Sequence, residues 1–155
     1  MPRTAKSFIN IQGMEAIDEA LKRLHSRVRR RMLKDALLEG AEVVREEAER
    51  LAPRRISHGW EAFTEEGAGT LRENIIIKTQ INQKRGRATV GINWENVRYG
   101  HLVEYGHDIY IRGKNTGKRT RKRAFMRPAF DNKGIEAVRL ILEKLWKIVG
   151  DINGS

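Results

Sequence analysis

Three side chains spaced three apart, His101, Glu104 and His107, are the first place in this chain to look for chemistry. Two imidazoles and a carboxylate on one helical face are ligands of the type that hold zinc. Two features count against that reading: Gly106 ends the helix before His107, and no fourth ligand is evident. The plainer expectation is a partly buried Glu104, hydrogen-bonded to loop backbone or paired with an arginine. Gly113-Lys114-Asn115-Thr116-Gly117-Lys118 superficially resembles a phosphate-binding loop. It lacks the required spacing and does not join a strand to a helix. No serine stands in a nucleophile-elbow context, and His25 and His58 are isolated. Without cysteine there is no thiolate nucleophile, disulfide or Cys-ligated metal. No catalytic residue, metal site or cofactor is therefore expected. A basic nuclease using His and Glu is the weakest of the functional readings.

What the chain has in quantity is positive charge. The net charge is +11 at pH 7, and residues 106–127 carry eight Lys/Arg against one Asp, so +7 lies there. An excess of this kind favours an anionic partner. Arg112, Lys114, Lys118, Arg119, Arg121, Lys122 and Arg123 can neutralise several phosphates, which makes binding steeply salt-dependent. Only Tyr110 and Phe125 are interleaved with them, so contact with nucleic acid would be to backbone charge, without base stacking. An acidic protein surface is the alternative target, and a solvated loop is the bland one. A second cluster, Arg27, Arg29, Arg30, Arg31 and Lys34, stands at the start of a helix, where positive charge opposes the dipole.

The elements that must position this charge are legible from periodicity. At 155 residues and 39% hydrophobic, a single domain is expected over 1–155, with a mainly aliphatic core. Residues 1–7 read as a flexible arm, 106–124 as an extended basic loop and 151–155 as a loose tail. Phe8, Ile9 and Ile11 suggest a short strand. Met14, Ile17, Leu21 and Leu24 recur at helical intervals, acidic early and basic late. Ser26 can cap a second helix of about 25 residues, about 37 Å long, that ends before Pro53. Its stripe runs through Val28, Met32, Ala36, Gly40, Val43 and Leu51, and its small residues allow close approach of another element. Trp60 and Phe63, in the loop over 52–70, either fold back on the chain or form a subunit interface.

Leu71–Ile81 and Arg87–Trp94 predict a hairpin around Gln83–Gly86. Val97–Tyr105 predicts a short helix with Gly106 as a left-handed cap. Tyr110 and Ile111 can begin a strand that returns at Ala124-Phe125. Pro128 suits the first turn of a last helix, with Ile135, Val138, Ile141, Leu142, Leu145 and Val149 as its apolar stripe. The fold class is α+β: a small antiparallel sheet packed against a long N-terminal helix and a C-terminal helix, with a long basic loop. Its anchors are Glu104, Tyr105 and Gly106 on one side and Phe125, Met126, Arg127 and Pro128 on the other. From their flanking positions, Glu104 and Arg127 are expected to pair. No stretch is long and apolar enough to span a membrane, and no signal-like run opens the chain.

In order, Ala52-Pro53, Gly69-Thr70-Leu71-Arg72-Glu73-Asn74-Ile75, Tyr99-Gly100-His101-Leu102-Val103-Glu104-Tyr105-Gly106 and Phe125-Met126-Arg127-Pro128-Ala129 form a familiar pattern. It resembles the head–tail joining, or tail-completion, proteins of long-tailed bacteriophages, a family to which lambda-type minor tail protein Z is similar. The chain departs from it at His107, where the family usually has Ser or Thr, and in the extra loop between Pro53 and Thr70. The resemblance implies a non-enzymatic neck subunit in a homo-oligomeric ring, a hexamer or alternatively a dodecamer. The ring would touch head-completion or connector proteins, tail-terminator or tail-tube proteins, and DNA in its lumen. It would be made in the host bacterial cytoplasm and sit at the head–tail junction of the virion. The alternative is a sequence-independent nucleic-acid-binding protein unrelated to virions.

Overall fold

A computed structural model describes residues 14–53, 70–82 and 85–153. The elements are α1 (Met14–Arg23), α2 (Ser26–Leu51), β1 (Ile75–Ile81), β2 (Gly86–Ile92), α3 (Gly100–Tyr105), β3 (Asp108–Ile111), β4 (Lys114–Arg119) and α4 (Met126–Asn153). The arm at 1–7, the short strand near Phe8 and the loop bearing Trp60 and Phe63 lie outside the described residues. The class is α+β, with two antiparallel sheets of two strands each, β1-β2 and β3-β4, among the described residues.

The long helices α2 and α4 pack on each other, and β1-β2 lies against α2. Alanines and glycines make that close packing feasible. A methyl group built on Gly40 would stand 2.5 Å from the Ala137 carbonyl oxygen and 2.5 Å from Ile141 Cγ1. One core cluster joins Ala48 of α2 and the capping Ala52 to Leu71, Ile75, Val97, Val103, Phe125 and Ala129. A second, toward the other end of the helix pair, joins Ile17 and Leu21 of α1 to Ala36 and Leu145. No helix among the described residues is long and apolar enough to cross a membrane.

Several boundaries differ from expectation. His25, not Ser26, caps α2: its Nδ1 accepts the Arg27 N–H at 3.4 Å, and Ser26 is already helical. Helix α2 does stop before Pro53, with Ala52 at ψ 136°, the extended geometry a following proline imposes. Strand β1 begins at Ile75, because Thr70–Asn74 is held as a turn. Glu73 accepts the Thr70 N–H at 2.5 Å, and the Asn74 amide donates to the Thr70 carbonyl at 2.9 Å. The paired register, Ile75 opposite Ile92 through Ile81 opposite Gly86, keeps the predicted alternation; β2 ends at Ile92, leaving Trp94 exposed. Ile135, assigned to the apolar stripe of α4, is 80% exposed. The stripe instead passes through Gly134 and Ala137, the small residues that let α2 come close. Helix α4 also continues to Asn153, so the first three residues of the expected tail are helical. Extending a helix costs far less than starting one, and no proline intervenes.

Glu47 ties α2 to α4. It is 8% exposed, takes Arg50 Nη2 at 2.7 Å and accepts from Asn132 of α4 at 2.9 Å. The Arg50 hydrogen bond first, and then that from Asn132, hold its carboxyl at about 2 against an ordinary 4.5. A carboxyl depressed by folding contributes stability above its unfolded pKa and loses it as pH falls through the folded value. Urea titrations should therefore show Glu47→Gln less stable than wild type near pH 6. That difference should shrink as pH falls from about 4.5 toward about 2. A pH-independent difference would mean that shape alone matters at this position.

Candidate functional site

Helix α3 ends at Gly106, whose φ of 69° and ψ of 162° only glycine adopts without strain. A Cβ there would also meet the Thr120 carbonyl oxygen at 2.8 Å. The positive φ was expected, but the extended ψ makes this a sharp exit into a strand instead of a left-handed cap. The next residue fastens the exit. The His107 N–H donates to Thr120 Oγ1 at 2.9 Å, the Thr120 N–H donates to the His107 carbonyl at 2.8 Å, and Thr120 Oγ1 lies 2.9 Å from His107 Nδ1.

Beyond this root the basic segment is a β-hairpin, not an extended loop. Tyr110 and Ile111 are in a strand as expected, but the chain turns at once and returns at Lys114, not at Ala124-Phe125. Arg112 at φ 48° and Gly113 at φ 77° make the two-residue turn whose hand matches twisted strands. Asp108 pairs with Arg119 and Tyr110 with Asn115, so β4 carries extra residues opposite β3. Gly117, at φ 71°, supplies the conformation such a bulge needs. Thr116 Oγ1 donates across it to the Ile109 carbonyl at 2.8 Å.

The returning chain is anchored by one buried carboxylate. Glu104 is 5% exposed. Its Oε2 accepts the N–H groups of Phe125 at 2.7 Å and Met126 at 3.1 Å, and its Oε1 accepts that of Arg127 at 3.3 Å. These are donors that the start of α4 cannot satisfy within its own helix, and their dipoles favour a negative charge. The Arg123 N–H adds a bond to the Val103 carbonyl at 3.0 Å. Phe125, fully buried, fills the core beside it, and Pro128 sits in the first helical turn, where its missing N–H costs nothing.

The expected Glu104–Arg127 side-chain pair is not formed. Only the Arg127 backbone reaches Glu104; its guanidinium is turned to solvent, 3.8 Å from Asp131. The metal triad is likewise taken apart. His101 stacks tilted on Trp94 with ring centroids 4.8 Å apart, His107 bonds Thr120, and Glu104 is committed to α4. Tyr105, 69% exposed, borders the root without entering the core.

Of the seven predicted basic residues, Arg119 is paired with Asp108 at 3.1 Å. Among the described residues, no carboxylate pairs with Arg112, Lys114, Lys118, Arg121, Lys122 or Arg123, and all six are exposed. Tyr110 and Ile111 are also exposed, 62% and 61%. The result is a cationic hairpin with an exposed apolar or aromatic side chain on each face near its tip, standing on a rigid base. Two supports escaped sequence reasoning. Thr120 is one; its only signal is an uncharged residue inside a run of cations. The other is Arg72, whose guanidinium holds the Ala52 carbonyl at 2.7 Å and the Arg50 carbonyl at 2.9 Å. Cationic donors there satisfy the last carbonyls of α2.

A family model described as "Bacteriophage HK97-gp10, putative tail-component" matches residues 15–106, more than half of the chain. The match ends at the glycine from which the basic hairpin departs. No curated protein and no solved structure matches the chain.

Proposed function

The chain belongs to the HK97-gp10-like family of phage tail components, and we propose that its place in the virion is the head–tail junction. The coarse role is structural. The finer reading is a neck or tail-completion subunit that forms a homo-oligomeric ring and leaves a channel for DNA. Its neighbours would be head-completion or connector proteins on one side and tail-terminator or tail-tube proteins on the other. The observation that carries this is the clamp. Glu104, where the chain enters the hairpin, holds the returning chain through three backbone N–H groups. Six cations with no carboxylate partner among the described residues, three on the hairpin and three just after it, are thus presented from a fixed base. Such a device suits docking within an assembly, and His101, Glu104 and His107 are each engaged elsewhere, with Trp94, the first N–H groups of α4 and Thr120.

Replacing Lys118, Arg119, Arg121, Lys122 and Arg123 by Ser tests it in the phage. The protein should remain folded, while heads and tails accumulate unjoined or DNA passage fails. An unchanged phage yield would count against a role for the hairpin. These exposed cations also favour a second reading, sequence-independent binding to nucleic acid. A purified monomer that holds duplex DNA with a steep salt dependence and joins no phage assembly would support that instead.

A further inference from the structure

We propose that the basic hairpin of one subunit docks on the outer face of α2 of the next copy. This rests on the ring reading above and names the two surfaces that would close the ring. At 100° per residue, Asp35, Glu39, Glu42, Glu46 and Glu49 fall within a stripe about 80° wide on α2. The buried residues of that helix, Ala36, Gly40, Val44 and Ala48 among them, lie on the opposite side. The carboxylate stripe therefore faces outward along about 21 Å of helix. It is only partly neutralised: Arg45 bridges Glu42 and Glu49, and Lys144 reaches Glu39 at 3.0 Å. Asp35 and Glu46 are exposed and, among the described residues, form no salt bridge, although the Arg45 charge is felt at Glu46.

The hairpin is complementary in sign and in length. Strand β4, Lys114–Arg119, spans about 17 Å at 3.3 Å per residue, most of the stripe's length. The exposed Tyr110 and Ile111 suit a protein surface better than a phosphate backbone. A two-stranded hairpin is marginal by itself in water, so a partner that orders it would stabilise it. The two surfaces are distinct patches on one chain. A contact between them is head-to-tail, the type that produces a ring when its rotation closes. Electrostatic complementarity of this kind also sets register and rejects wrong partners.

Sedimentation of the purified full chain over a range of concentrations and salt tests this. Wild type should self-associate, and less so as salt rises. Lys118→Glu, Arg121→Glu and Lys122→Glu together should weaken association by roughly tenfold or more, as should Asp35→Lys with Glu46→Lys. A chain carrying both sets of reversals restores complementarity and should associate again. All these residues are exposed, so circular dichroism and unfolding midpoints should stay near wild type and exclude misfolding as the cause. Association unchanged by the hairpin reversals would overturn the docking surface while leaving the ring intact. So would unchanged association with loss of duplex DNA retention, which would assign the hairpin to DNA. Oligomers broken instead by reversing Arg27 and Arg31 would place the stripe against another copy's α2. A wild type that is monomeric at every concentration would remove the ring itself, and this inference with it.

Discussion

Glu104→Ala should cost about 3–5 kcal/mol of folding stability, because it leaves donors at the start of α4 without an acceptor in a buried place. The Phe125 and Met126 N–H groups lose partners at 2.7 and 3.1 Å, and water cannot readily replace them beside a fully buried Phe125. For a chain of this size the melting temperature should fall by about 10 °C. Glu104→Gln keeps the shape and one acceptor oxygen but turns an NH2 toward donors, so roughly half the loss is expected. Hydrogen exchange adds a local readout. In the alanine variant the amides of residues 123–127 should lose protection well before those of β1 and β2. A shift in unfolding free energy below about 1 kcal/mol would show that the clamp is not what fixes the hairpin's base.

Gly40→Val should be the most disruptive change away from that clamp, at about 3 kcal/mol, the upper end for overpacking. Its first added carbon meets a backbone carbonyl at 2.5 Å, and a carbonyl in a helix cannot rotate away as a side chain can. Helices α2 and α4 would have to separate, opening both core clusters. The gain in helix propensity on leaving glycine, about 0.5 kcal/mol, is too small to offset this. Gly150 is the control. It is also helical, in α4, but nothing stands within 4 Å of a Cβ built there. Gly150→Ala should therefore stabilise the protein by up to about 1 kcal/mol in the same denaturant titrations. Equal responses at the two glycines would mean that α2 and α4 are less closely packed than described.

Much of the fold can be read from local signals, because those signals act over a few residues. Apolar spacing predicts α1, α2 and α4, alternation predicts β1 and β2, and Pro53 marks where α2 must stop. The candidate site is legible in part. The cationic run and the anchors at Glu104–Gly106 and Phe125–Pro128 stand out by composition and order. The hairpin inside the run does not, because its turn falls on Arg112-Gly113, with an arginine where Asn or Asp is the usual choice. Ile135 misleads for a related reason: periodicity identifies an apolar stripe, but the partner helix determines which edge of it is covered.

The sequence by itself determined the element types, the concentration of positive charge and the spacing that places five carboxylates on one face of α2. Only the tertiary structure decided where Glu104 is spent. Its partners lie 21 to 23 residues away and are backbone N–H groups, which every residue but proline possesses and no sequence pattern can mark. A pairing with the Arg127 side chain is what charge suggests. The folded chain instead gives the carboxylate to the open end of α4, where several donors and a helix dipole converge, and leaves the guanidinium near Asp131 in solvent.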